Sequence, residues 1–108
     1  MAVTNTDDHL RNHAFIFTLS GWKLSPLFDV NPVPYGNELS LLVDDADNSI
    51  SIELAVKTAP RFGISEKDAQ VYADEIISVV KNNWEILAKK YGLTRTQIED
   101  MRPAFSMN

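Results

Sequence analysis

The chain is 108 residues long, 44% hydrophobic, with a formal charge of −5 and no cysteine. That length allows one modest domain with a core and not two, and the acidic balance excludes a broad basic surface for nucleic acid. Without cysteine there is no disulfide, thiolate nucleophile or zinc–thiolate site, and no apolar run approaches the ~18–20 residues of a membrane span. Met1-Ala2-Val3-Thr4 lacks the basic region and apolar stretch of a secretory signal, so a cytoplasmic location is the default expectation.

Residues 4–12 are polar and rich in Asn and Asp, which suits a loop opening into a short turn. From His13 to Leu19 the chain is nearly all apolar, with Phe15, Ile16 and Phe17 in sequence, and this predicts a buried strand. Ser20-Gly21 is a turn signal, and Trp22 to Phe28 returns as a second strand. Such a hairpin puts Asn12 at one strand end and Asp29 at the other, on the same rim. Asn31 to Asn37, with Pro32, Pro34 and Gly36, excludes regular structure and reads as a surface connection.

Glu38–Val43 and Ile50–Ile52 are short apolar patches joined by Asp44-Asp45-Ala46-Asp47-Asn48-Ser49. The acids raise the question of a calcium loop, which needs glycine at its sixth position and glutamate at its twelfth. Counting from Asp45 those places hold Ile50 and Val56; counting from Asp44 they hold Ser49 and Ala55. A solvated turn is the better account.

Glu53 to Ala59 reads as a short helix bounded by Pro60 and Gly63. Ser65 then has the character of an N-cap, with Glu66 and Asp68 in the first turn. The helix it starts runs to about Tyr91. Its apolar positions Ala69, Tyr72, Ala73, Ile76, Val80, Trp84, Leu87 and Tyr91 step by three and four along one face, and Gly92 stops it. Thr94 and Gln97 have capping-box spacing and open a last helix with Ile98 and Met101, ending near Pro103-Ala104-Phe105. Ser106-Met107-Asn108 is expected to fray. The fold class is α+β, mainly α: an N-terminal β-hairpin on a helical body, in a single domain over residues 1–108.

Three residues carry the chemistry. Asp7 and Asn12 stand five positions apart, and Asp29 follows Asn12 by seventeen. A carboxylate, a carboxamide and a second carboxylate so placed have the spacing of a kinase catalytic loop and its magnesium-binding aspartate. One carboxylate takes the proton of the attacking hydroxyl; an amide oxygen and the other carboxylate are hard ligands suited to magnesium. Taken singly, Asp7 caps a turn, Asn12 caps a strand edge and Asp29 precedes a turn, but these readings leave the joint spacing unexplained. Asp8 is given no catalytic role; it is solvated or bonded to backbone. His9 and His13, four apart, converge on a zinc ion only if helical, and residues 13–17 read as strand, so zinc is set aside. His9 is expected to be a packed, hydrogen-bonded loop buttress. Trp22, Trp84, Phe62 and Phe105 are expected in the core or between elements, and none of Arg61, Arg95 and Arg102 is marked as a phosphate clamp.

The stretches Asn5-Thr6-Asp7-Asp8-His9-Leu10-Arg11-Asn12-His13-Ala14-Phe15 and Gly21-Trp22-Lys23-Leu24-Ser25-Pro26-Leu27-Phe28-Asp29-Val30-Asn31-Pro32 resemble the HipA-like serine/threonine kinases, the toxin kinases of bacterial toxin–antitoxin systems. Leu54-Ala55, Phe62-Gly63-Ile64-Ser65 and Met101-Arg102-Pro103-Ala104-Phe105 extend the similarity, to the C-terminal part of a member only. The resemblance implies the lower, helical lobe of a kinase-like fold, with Asp7 as general base and Asn12 and Asp29 as magnesium ligands. It implies ATP as phosphate donor, a protein as substrate and an antitoxin as partner, and it makes residues 31–37 the start of an activation segment. The ATP-covering upper lobe is absent from these residues. Gly21, Gly36, Gly63 and Gly92 stand too far apart for a phosphate cover, and no strand precedes the loop to carry the phosphate-holding lysine. The chain alone is therefore expected not to transfer phosphate, and apolar surface meant for the missing lobe favours a homo-oligomer. The alternative is a non-catalytic helical protein-interaction module derived from a kinase lobe.

Overall fold

In the computed structural model, which describes residues 1–106, the first regular pair is an antiparallel ribbon of β1 (Phe15–Thr18) and β2 (Gly21–Leu24). Phe15 lies opposite Leu24 and Phe17 opposite Trp22, whose rings meet at 5.1 Å between centroids. Leu19 and Ser20 make the turn. Gly21 follows at φ 102°, a left-handed conformation that glycine takes without a Cβ penalty. The Thr18 hydroxyl donates to the Gly21 carbonyl at 2.8 Å and accepts the Ser20 N–H.

Both strands are shorter than predicted. Ser25 N–H still bonds the Ala14 carbonyl at 2.8 Å, but Pro26 has no N–H and pairing stops. Nor is the ribbon buried: Phe17 and Trp22 are each 70% exposed. A two-stranded ribbon covers neither of its own faces, and no other element of the described residues packs extensively on it. An unbroken apolar run, read as burial, marks here a surface left open.

The next stretch is held by side chain–backbone bonds. Leu39 N–H reaches the Asn48 carbonyl at 2.7 Å, beside a single bridge between Glu38 and Ser49. Within it the Asp44 carboxylate accepts the amides of Ala46 and Asp47, and Asp47 accepts that of Ser49. Asp44 and Asp47 thus serve their own backbone, while Asp45 pairs with Arg61 at 2.9 Å.

Three helices follow. In α1 (Ile52–Thr58) the Ser51 hydroxyl caps the Leu54 amide at 3.1 Å, one residue before the predicted start. Pro60 then turns the chain into a 3₁₀ segment, Ala59–Phe62, and Gly63 ends it at φ 78°. In α2 (Glu66–Lys90) Ser65 caps the Asp68 amide, with Lys89 and Lys90 in the last turn. Thr94 and Gln97 make both bonds of a capping box at the head of α3 (Arg95–Met101). A 3₁₀ segment, Arg102–Phe105, closes the described chain, and Ser106, expected to fray, donates its hydroxyl to the Arg102 carbonyl. Met107 and Asn108, expected to fray with it, lie outside the described residues.

Trp84 of α2 stacks on Phe105 with centroids 4.4 Å apart and planes 7° from parallel. Arg102 lies over the same indole and pairs with Glu85 and Glu99. These contacts tie α2, α3 and the closing segment together. The core is nonetheless small: Ile98 and Ala104 are the only buried hydrophobic side chains among the described residues. Tyr72, Ile76, Leu87 and Tyr91 on the apolar stripe of α2 stay exposed, as do Phe62 and Trp22, which were expected inside. The surface is 7926 Å², against about 6,000 Å² for a folded monomer of this mass. The radius of gyration is 15.4 Å, against about 13 Å. No helix of the described residues is long and apolar enough to cross a membrane.

Candidate functional site

The loop that holds the predicted site is strung between two anchors. Thr4 N–H bonds the Ala104 carbonyl at 2.9 Å, and the Thr4 carbonyl accepts Val33 N–H at 2.7 Å. Two residues on, the Ser40 hydroxyl donates to the Thr6 carbonyl at 2.7 Å. Gly36 rests on the Thr6 side chain so closely that a Cβ there would come within 3.1 Å of it. Hydrogen bonds to the backbone of Thr4 and Thr6, from the C-terminal segment and from Val33 and the Ser40 hydroxyl, therefore fix Thr4-Asn5-Thr6.

Asp7 sits in the turn that follows and is exposed. A 3₁₀ turn, Leu10–Asn12, comes next, with Asn12 N–H on the His9 carbonyl at 2.8 Å and His13 N–H on that of Leu10. The Asp8 carboxylate reaches across this turn to His13 Nε2 at 3.0 Å, its second oxygen at 3.2 Å. Asp8 is thus bound to a side chain, neither free nor on backbone. This also takes His13 away from any shared ligation with His9. His9 itself is partly buried, but its Nδ1 is enclosed with no hydrogen-bond partner, so that nitrogen does not act as the expected hydrogen-bonded buttress.

A cavity of about 400 Å³ lies behind the loop. Asn5, Asp8, Asn12 and His13 line it among mainly apolar side chains, Phe28, Val30 and, from α2, Ile76 and Val80 included, and Met1, whose amino group is partly buried near Asp8, lines it too. Asn12 is only 7% exposed and Asn5 9%. Among the described residues neither carboxamide has a hydrogen-bond partner. His9 Nδ1 is the only enclosed side-chain nitrogen or oxygen without a partner among the described residues, so the two carboxamides, though on buried residues, remain within reach of solvent through the cavity mouth.

Asp29 stands between two lining residues but is not among them, and neither is Asp7. Its φ is 56°, the only positive value at a non-glycine among the described residues. Asp tolerates this region better than most residues, and such outliers gather at functional sites. One of its oxygens accepts Asn31 Nδ2 at 2.7 Å; the side chain is exposed. The structure thus joins Asn12 to Asp8, His13 and Asn5 around a cavity, with the chain on either side of Asp29 forming part of its wall. Asn5 and His13 were not singled out as site residues in the sequence. Asn5 stood two positions before Asp7 in a polar loop, and only its burial distinguishes it. No group of three or more His, Cys, Asp or Glu side chains converges among the described residues.

The family model described as "HipA-like C-terminal domain" matches residues 1–84, a span that holds Asp7, Asn12, Asp29, the ribbon, α1 and most of α2. No curated protein and no solved structure matches the chain.

Proposed function

Because the chain belongs to the HipA-like C-terminal domain family, we propose that it carries the catalytic loop of a serine/threonine protein kinase, which moves the γ-phosphate of ATP to a protein hydroxyl. The observation that carries this reading is Asn12: buried, unpartnered and turned to a cavity, five residues after an exposed aspartate. Its oxygen suits magnesium, as does the free oxygen of Asp29. When bound, magnesium offsets the charge of the phosphates. Asp7, exposed on its turn, is open to an incoming hydroxyl and takes its proton. Asn31 steadies Asp29 by holding one oxygen.

In the toxin–antitoxin setting of that family the partners are a protein substrate and a restraining antitoxin, and ATP supply places the reaction in the cytoplasm. Residues 1–108 act as one unit. They provide no glycine-rich cover for the phosphates, so the chain by itself is expected not to phosphorylate. Titration of magnesium-ATP into the chain tests the reading: specific binding abolished by Asp29→Ala supports it, and robust Asp7-dependent phosphate transfer by the chain alone refutes its dependence on a covering lobe.

The exposed ribbon and α2 face favour a second reading, a non-catalytic module that holds a partner protein. Absence of magnesium-ATP binding, or binding indifferent to Asp29→Ala, supports that one instead.

A further inference from the structure

The stretch Met101–Phe105 takes no part in the proposed chemistry, yet it holds the loop that does. Thr4, at the root of that loop, is gripped through both of its backbone polar groups: its N–H bonds the Ala104 carbonyl at 2.9 Å, and its carbonyl accepts Val33 N–H at 2.7 Å. Both partners lead back to one aromatic cluster. Ala104 adjoins Phe105, which stacks on Trp84 with centroids 4.4 Å apart. Val33 adjoins Pro32, which lies with Trp84 and Phe105 in the wall of an apolar pocket of about 260 Å³, beside Tyr91 and Leu93. Thr4 and Ala104 are both buried. A buried amide that loses its carbonyl gains no water in exchange while the surroundings stay packed, so the hydrogen bond and the ring stack are made and lost together.

We propose that Phe105 is a positioning residue for the site loop: its stack on Trp84 seats Ala104, and Ala104 through Thr4 sets where Asn5 to Asn12 stand. The segment is a 3₁₀ turn of four residues at the end of the described chain, the kind of element that opens locally without global unfolding. Arg102 steadies it, lying over the Trp84 indole and pairing with Glu85 and Glu99. When the segment leaves, Thr4 loses its acceptor and Pro32 loses the Phe105 side of its pocket, so both restraints on the root of the loop weaken at once. Thr6 keeps its separate bond from the Ser40 hydroxyl, so the loop loosens and does not unfold. The coupling stands apart from the kinase reading, because its readout needs neither magnesium nor ATP.

The test is amide hydrogen exchange of the whole chain followed by NMR, comparing Phe105→Ala with wild type in enough urea to match its global stability. A merely structural Phe105 would then leave every amide alike. As a positioning residue, Phe105→Ala should exchange the Thr4 and Val33 amides about ten-fold faster than the matched wild type, the upper end for an aromatic pair. The Asn12 amide should exchange at least about two-fold faster, the lower end for such a pair, with the amides of α1 equal in the two proteins. Phe105→Tyr, which keeps a ring for Trp84, should restore wild-type rates. If Phe105→Ala does not fold, Phe105→Leu, which keeps apolar bulk and loses the stack, gives the same comparison. Equal Thr4 and Val33 rates in the matched proteins overturn the proposal. So does a Thr4 amide that speeds up while Asn12 does not, since the site would then be independent of the root of its loop.

Discussion

The Asp8 carboxylate closes on the His13 imidazole at 3.0 Å, spanning the 3₁₀ turn that carries Asn12. The pair is half-exposed, so it acts as a local clasp more than as a source of global stability. A net hydrogen bond of ~1 kcal/mol corresponds to about five-fold in a local opening equilibrium. Asp8→Ala is therefore expected to speed amide exchange of Asn12, whose N–H bonds the His9 carbonyl, by about five-fold, while the exchange of α2 is unchanged. Asp8→Asn keeps an acceptor oxygen and should fall between the two. Equal exchange rates in all three proteins would show that the clasp does not order the turn.

A second prediction concerns acid. The Arg102 guanidinium holds the Glu99 carboxyl below its ordinary value of 4.5, and Lys57 does the same for Glu53. The amides of Ala46 and Asp47 lower Asp44 from 3.8. A carboxyl depressed in the folded state binds fewer protons there than in the unfolded chain. Its stabilisation is present above the unfolded pKa and disappears as pH falls through the folded one. The melting temperature should be flat between about pH 7 and 5 and fall below about 4.5. Glu99→Gln should start lower at neutral pH and fall less steeply in acid; an identical slope would remove Glu99 from the account.

The stack of Trp84 on Phe105 is the main aromatic contact between α2 and the closing segment. Both rings are partly exposed, so truncation costs less than the ~3–5 kcal/mol of a buried phenylalanine. Phe105→Ala is expected to lower stability by about 2 kcal/mol, measured from the urea midpoint. Arg102 adds a flat cation over the indole and a fork onto Glu99, with both Glu99 oxygens at 2.9 Å. Lysine keeps the charge and loses the planar fork, so Arg102→Lys should cost about 1 kcal/mol. A Phe105→Ala protein as stable as wild type would mean that the closing segment is not docked in solution.

Local chemistry made much of this fold legible. Ser65 before two acids, Thr94 three before Gln97, and glycines at the ends of helical patterns each act within one turn, and each element began or ended within a residue or two of where they put it. The acidic run at Asp44 was likewise readable, because its carboxylates bond their own backbone. What failed was burial. The apolar letters of Phe15 to Phe17 predict that something covers them; whether the partner lies within the same residues is a question of packing that spacing does not reach. The site divides the same way. Spacing and residue type singled out Asp7, Asn12 and Asp29, of which Asn12 alone lines the cavity, whereas the burial of Asn5 and the Asp8–His13 bond depend on how the 33–40 connection and the C-terminal segment press on the loop.

The open surface leads to a last prediction. The chain exposes about 1,900 Å² more than a folded monomer of its mass should, more than twice the ~800 Å² that one partner contributes to a standard interface. Exposed apolar side chains occur along the chain, and on the ribbon they are adjacent: Phe15, Phe17, Trp22 and Leu24 stand out with Lys23 as the only charge in either strand. At ~25 cal/mol per Å², covering even 500 Å² of it yields about 12 kcal/mol before the association cost of ~4–15 kcal/mol. Those two figures are close enough that self-association depends on concentration. Light scattering is therefore expected to give a mass above the 12.1 kDa of one chain, rising with protein concentration. Phe17→Thr with Trp22→Thr removes the facing aromatic pair but keeps residues at home in a strand. That double variant should return the mass to a single chain with its helical circular dichroism intact. A wild-type mass that stays at one chain up to high concentration would show that the ribbon folds back onto the body in solution. In that case Trp22 fluorescence should be shifted to the blue of an exposed indole, and the ribbon would no longer be a surface open to a partner.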